Sequence, residues 1–113
     1  MALESKKPAT ELWFVGVPVP ERRPGMFRVD ALKMWVNNPD RDPYHFQYAF
    51  VEPDSPVPAD LRALPHIGYL VSDINKRIAE IDELLWGPFA VGKDTVAFVR
   101  HMGQLIQLYQ LGK

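Results

Sequence analysis

Short runs of alternating apolar and polar or small residues dominate the chain. Leu12 to Val19 (LWFVGVPV), Met26 to Val29, Leu32 to Val36 (LKMWV) and Phe46 to Val51 (FQYAFV) are rich in aromatic and β-branched residues. Bounded by Pro24-Gly25 and by the turn chemistry of Asn38 to Tyr44 (NPDRDPY), they predict four strands. Pro65 to Val71 (PHIGYLV) predicts a fifth. Behind it Ile74, Ile78, Ile81 and Leu85 recur at helical spacing, with Asp73 placed to cap the first turn, and predict the one convincing helix. Phe89 to Val91, Thr95 to Arg100 (TVAFVR) and Leu105 to Leu111 (LIQLYQL), separated by turns at Gly92 and Gly103, complete eight strands. Ten of the eleven prolines lie at or before Pro65, so no helix of similar length is expected in the first half. Glu52 to Leu64, with three prolines, reads as an extended linker holding at most one helical turn.

The two halves repeat. Phe14-Val15-Gly16-Val17-Pro18-Val19 lies over His66-Ile67-Gly68-Tyr69-Leu70-Val71 with the glycines and the final valines in register, and Phe46-Gln47-Tyr48 lies over Ile106-Gln107-Leu108. The run His66-Ile-Gly-Tyr-Leu-Val-Ser-Asp73, a helix, Val96-Ala-Phe-Val-Arg100, a turn at Gly103 and Leu105-Ile-Gln-Leu108 resembles the second module of the vicinal-oxygen-chelate superfamily, which includes glyoxalase, bleomycin-resistance and dioxygenase-like domains. The resemblance is strong over Pro65 to Leu111 and moderate over Leu12 to Val51. It implies an α+β fold of paired βαβββ modules whose curved mixed sheet surrounds a cup. The division it implies is a leader over 1–10 and a single domain over 11–113, with module one at 11–51, the linker at 52–64 and module two at 65–113. The sequence departs from the pattern at Glu21 to Met26 (ERRPGM), too short and proline-broken for a helix, so the first-module helix is expected to be missing or reduced.

Composition narrows the partners. At 113 residues, 47% hydrophobic and 24% charged, the chain has the make-up of one globular domain. A formal net charge of −1 offers neither the basic stripe that nucleic acid requires nor a cluster for an anionic membrane surface. With no cysteine, thiol catalysis and cysteine-ligated metals are excluded. Met1 to Thr10 lacks the apolar core of a signal peptide, so a cytoplasmic location is expected. No triad ordering, phosphate loop or dinucleotide fingerprint is present.

In the family that the chain resembles, a divalent metal is held inside the cup by the first and last strands of each module. The matching positions here are Phe14, Gln47, His66 and Gln107. Strand alternation sends His66 inward with Gly68 and Leu70, Gln107 with Leu105 and Tyr109, and Gln47 with His45 and Ala49. Phe14, His45, Gln47, His66, Gln107, Tyr109 and Trp35 are therefore the expected cavity residues. A desolvated dication ordinarily needs at least one carboxylate beside imidazole, and none of the matched positions is acidic. Binding of a small, largely apolar or neutral ligand, with no metal, is the favoured expectation. The alternative is a metal-dependent lyase or isomerase of the glyoxalase type with Zn, Ni, Mn or Fe on His66, Gln47 and Gln107. A non-catalytic interaction module with a filled cup is the third possibility, and the bland reading of His66 is a buried histidine bonded to Gln47 or Gln107. Without a first-module helix, Val15, Val17, Val19, Phe46, Tyr48 and Phe50 would form a bare apolar face, and a two-fold homodimer is the expected cover. The other cover considered is the linker or the leader.

Overall fold

The computed structural model describes residues 10–80 and 83–112. Eight strands, β1 (Thr10–Pro18), β2 (Phe27–Val29), β3 (Met34–Val36), β4 (Phe46–Val51), β5 (His66–Val71), β6 (Glu83–Val91), β7 (Asp94–His101) and β8 (Gln104–Gln110), form one mixed sheet in the order β2-β3-β4-β1-β5-β8-β7-β6. The sheet curls into a half-barrel, accompanied by two short helices, α1 (Ala59–Ala63) and α2 (Ile74–Ala79). β1 runs parallel to β4 and β5 parallel to β8, while β1 and β5 meet antiparallel at the centre. Outward from this central pair the order is β4, β3, β2 on one side and β8, β7, β6 on the other.

Side-chain alternation gives the sheet two different faces. On the inner face Leu32, Val57, Leu61, Val96, Phe98 and Leu105 are buried together, with Met34, Val51, Trp86 and Tyr109 packed against them. On the outer face of the second half, Val71, Ile74, Ala97, Val99 and Leu108 form a second cluster, with Tyr69, Ile78 and Ile106 packed against it. α2 supplies Ile74 and Ile78 to this cluster, and its first turn is capped by Asp73, which accepts from the backbone N–H of Lys76 at 3.1 Å.

The helix is shorter than the spacing predicts. It ends at Ala79, and Leu85 belongs instead to the nine-residue strand β6, packed against the inner-face cluster. Ile81 lies outside the described residues. β6 also begins well before Phe89, its pairing with β7 shifting register between Leu84 and Trp86 and again between Trp86 and Phe89. α1, at five residues, is close in length to the six-residue α2, so the expected contrast in helix between the halves is small.

Glu52 to Leu64 is more than a linker. Ser55, Val57 and Leu61 are buried, and Val57 and Leu61 join the inner-face cluster. The hydroxyl of Ser55 donates to the carbonyl of Leu32 and accepts from the N–H of Val57, while Arg28 holds Glu52 and Lys33 holds Asp54. The buried residues of this segment therefore pack on the inner face, and of the outer face of the first half it meets Trp35, through Glu52. There the non-helical Glu21 to Met26 stretch folds back, placing the guanidinium of Arg22 4.6 Å from the centre of the Trp35 ring and that of Arg23 4.5 Å from that of Tyr48. Cation–π contact takes the place of a helix over these two rings. Val15, Val17, Val19, Phe46, Tyr48 and Phe50 are all partly exposed rather than bare. Among the described residues, no helix is long and apolar enough to cross a membrane.

Candidate ligand-binding cup

The centre of the sheet is built from two reciprocal contacts. In the β1–β5 register Gly16 stands opposite His66 and Phe14 opposite Gly68. A Cβ on Gly16 would lie 2.3 Å from the His66 ring, and one on Gly68 2.3 Å from the Phe14 ring. Each glycine is thus the floor for the ring of the opposite strand. The parallel partners continue the arrangement, Gln47 beside Gly16 and Gln107 beside Gly68.

Above this floor lies a cavity of about 140 Å³ on the inner face. His66, Gln47, Gln107 and Tyr109 all line it, from β5, β4 and β8. Its remaining wall is apolar, with Val36, Ala49, Val57, Leu61, Trp86 and Phe98 among the lining residues. The rings of Trp86 and Phe98 are stacked, 5.9 Å apart at 24°, and His66 meets Phe98 edge-on at 5.6 Å.

Three expected cavity residues lie elsewhere. Phe14 is 2% exposed and sits behind the wall, edge-on to His66 at 6.0 Å, so it supports the site without lining it. Trp35 points to the outer face because its neighbours Met34 and Val36 take the inner one. Its indole N–H donates to Glu52, and the bonds from Arg28 and from this indole hold the Glu52 carboxyl below the usual carboxylate range. His45 is exposed, at φ 56°, before β4 begins. That left-handed backbone breaks the alternation that would have turned it inward, and its Nδ1 lies 3.0 Å from the carbonyl of Trp13.

His66 and Gln107 hold each other, with Nε2 of the ring 2.9 Å from Oε1 of the amide. With Oε1 accepting, the ring proton sits on Nε2, and the buried Nδ1 has no hydrogen-bond partner. Burial lowers the pKa of His66 below the ordinary histidine value, against a smaller opposing effect of the Gln107 bond. Gln47 donates to the carbonyl of Asn37 at 3.3 Å. The Tyr109 hydroxyl is pushed up to about 12 by burial and by its bond to Asp94. Among the described residues no carboxylate lines the cavity, and no group of three or more His, Cys, Asp or Glu side chains is placed to share a metal.

The neutral state of His66 has a consequence for stability. The unfolded chain takes up a proton near the ordinary histidine pKa of about 6.5, which the folded chain resists, so the unfolded state binds more protons as the pH falls. Stability is full above that value and is lost as the pH falls from it towards the lowered folded pKa. Thermal melts of the wild type and His66→Gln across this window check it: the substitution should flatten the descent, and equal slopes would show that His66 is not its source.

Sequence reasoning overlooked Arg62, which also lines the cavity. It lies in the segment read as a linker, and its signal was the short ADLRA helical turn, whose Leu61 faces the core.

No protein-family model and no curated protein sequence matches the chain. Among solved structures it is similar to the hypothetical protein BH1468 from Bacillus halodurans C-125, with 20% sequence identity, a TM-score of 0.57 and coverage of 93% of this chain and 96% of that one. That likeness is one of fold.

Proposed function

We propose that the chain is a small-molecule-binding protein of the glyoxalase and bleomycin-resistance type, built from two βαβββ-like modules, whose metal site has degenerated. The observation that carries this reading is the cavity itself: an apolar cup of about 140 Å³ with a few polar groups converging on it from separate strands. That volume is comparable to the roughly 150 Å³ engineered apolar cavity that admits benzene. The module reading is supported by the outward-matching strand order and by the reciprocal Phe14–Gly68 and His66–Gly16 contacts.

The reading without metal rests on the chemistry of the matched donors. Phe14 has no donor atom, Gln47 and Gln107 offer neutral amides, and the Nε2 of His66 is engaged by Gln107. Among the described residues that line the cavity there is no carboxylate to offset a desolvated dication. A two-fold homodimer through Val17, Phe46 and Phe50 is the accompanying proposal, since among the described residues the Arg22 and Arg23 contacts lie over Trp35 and Tyr48 and leave these three partly exposed.

Titration of the full chain with toluene and with zinc, nickel and manganese separately, followed by NMR, tests the reading. Saturable shifts of Val57, Leu61 and Val96 methyls with toluene are expected, without metal-induced change at His66. Stoichiometric binding of any of these metals at His66 would instead support the lyase or isomerase alternative.

A further inference from the structure

We infer that the ligand of the cup is a small monocarboxylic acid, with its apolar body in the cavity and its carboxylate on Arg62; this rests on the cup being a ligand site. Arg62 is the one charged residue among the described residues that line the cavity. The other polar groups there are largely engaged within the protein: Gln47 with Asn37, Gln107 with His66 and Tyr109 with Asp94.

The partners of Arg62 set it apart from other cations of the fold. Arg28 meets Asp30 and Glu52, Lys33 meets Asp54, and Arg100 meets Glu83 and Asp60. Arg62 meets only main-chain carbonyls. Its Nε donates to Val57 at 2.8 Å, its Nη1 to Pro53 at 3.3 Å and more weakly to Glu52 at 3.5 Å, and its Nη2 to Ser55. No carboxylate of the described residues forms an ion pair with it.

Carbonyl dipoles orient a guanidinium but leave its net charge in place. Arg62 is half-buried beside an apolar wall, so its charge is less screened than in bulk water and an anion arriving there gains more than it would in water. Four carbonyls use four of the five N–H groups, which leaves one donor on Nη2 for a ligand oxygen. The carbonyls fix the plane of the group in advance, so little further ordering is needed when a charge-assisted bond forms. A cavity of about 140 Å³ with one cation at its wall fits a ring-sized body carrying one acid group. A dianion or a sugar-like polyol would leave charge or hydroxyls against Val57, Leu61, Trp86 and Phe98 without partners.

Benzoate, benzamide and toluene share a shape and differ in charge and polarity, and their affinities for the full chain at neutral pH test the inference. Benzoate should bind at least about tenfold more tightly than benzamide, and added salt should weaken benzoate alone. In Arg62→Gln the preference should disappear. Should that variant fail to fold, the wild-type ratio and its salt dependence decide alone. Benzamide or toluene binding as well as benzoate would overturn the carboxylate assignment and leave the cup as a ligand site. If none of the three binds, both readings fall together.

Discussion

Phe14→Ala is expected to cost about 3–5 kcal/mol of stability, the usual range for removing a fully buried aromatic ring. Gly68→Ala should cost about 1–3 kcal/mol by a different route, because its new methyl would lie 2.3 Å from the buried Phe14 ring, which must shift to admit it. The two changes compensate each other in space. Once the ring is gone the methyl has somewhere to sit, so the double variant should be more stable than the sum of the single costs implies, by about 0.5–3 kcal/mol. Urea unfolding of the four species gives this coupling directly. Simple additivity would mean that Gly68 serves something other than the Phe14 ring.

Leu61→Ala is the second large effect, at about 2–5 kcal/mol, and it should be recoverable. Leu61 lines the cup, so truncation enlarges the cavity, and a ring-sized apolar molecule that fills it stabilises the folded state in proportion to its occupancy. Ile74→Ala provides the control, being equally buried but in the cluster on the other face of the sheet. Melting temperatures with and without toluene should show a clear rise for Leu61→Ala and almost none for Ile74→Ala. A rise of equal size in both would place the binding outside the cup.

Where alternation alone decides, the sequence was a reliable guide. Period-2 patterning places His66, Gln107, Gln47 and Tyr109 on the inner face and Tyr69, Val71 and Leu108 on the outer one, as the structure does. The aligned Gly16 and Gly68 pointed to a repeat, although the reason for two glycines, a ring lying over each, appears only when the strands are paired. Other features carry no local signal. A spacing of four residues, as between Ile81 and Leu85, suits one face of a helix and one face of a strand alike, so the end of α2 and the start of β6 could not be separated by period. His45 leaves the inner face through a left-handed backbone that its residue type does not announce. Arg22, Arg23 and Arg62 act through partners distant in sequence or through main-chain carbonyls, and a proline-rich stretch gives no sign that its Val57 and Leu61 complete a core.

The central β1–β5 seam also joins stretches that lie far apart in the chain. β6, β7 and β8 are consecutive antiparallel hairpins, turning at Gly92 with φ 60° and at Gly103 with φ 81°, and they form from contacts close in sequence. β1 pairs with β4 and β5 with β8 across long stretches of chain, and each parallel pair closes a loop at a cost in chain entropy. The antiparallel seam joins the two halves and sets the glycine floor beneath His66 and Phe14. The binding cup therefore rests on the pairings of longest sequence separation in the sheet, whereas the β6–β7–β8 flank is held by local ones.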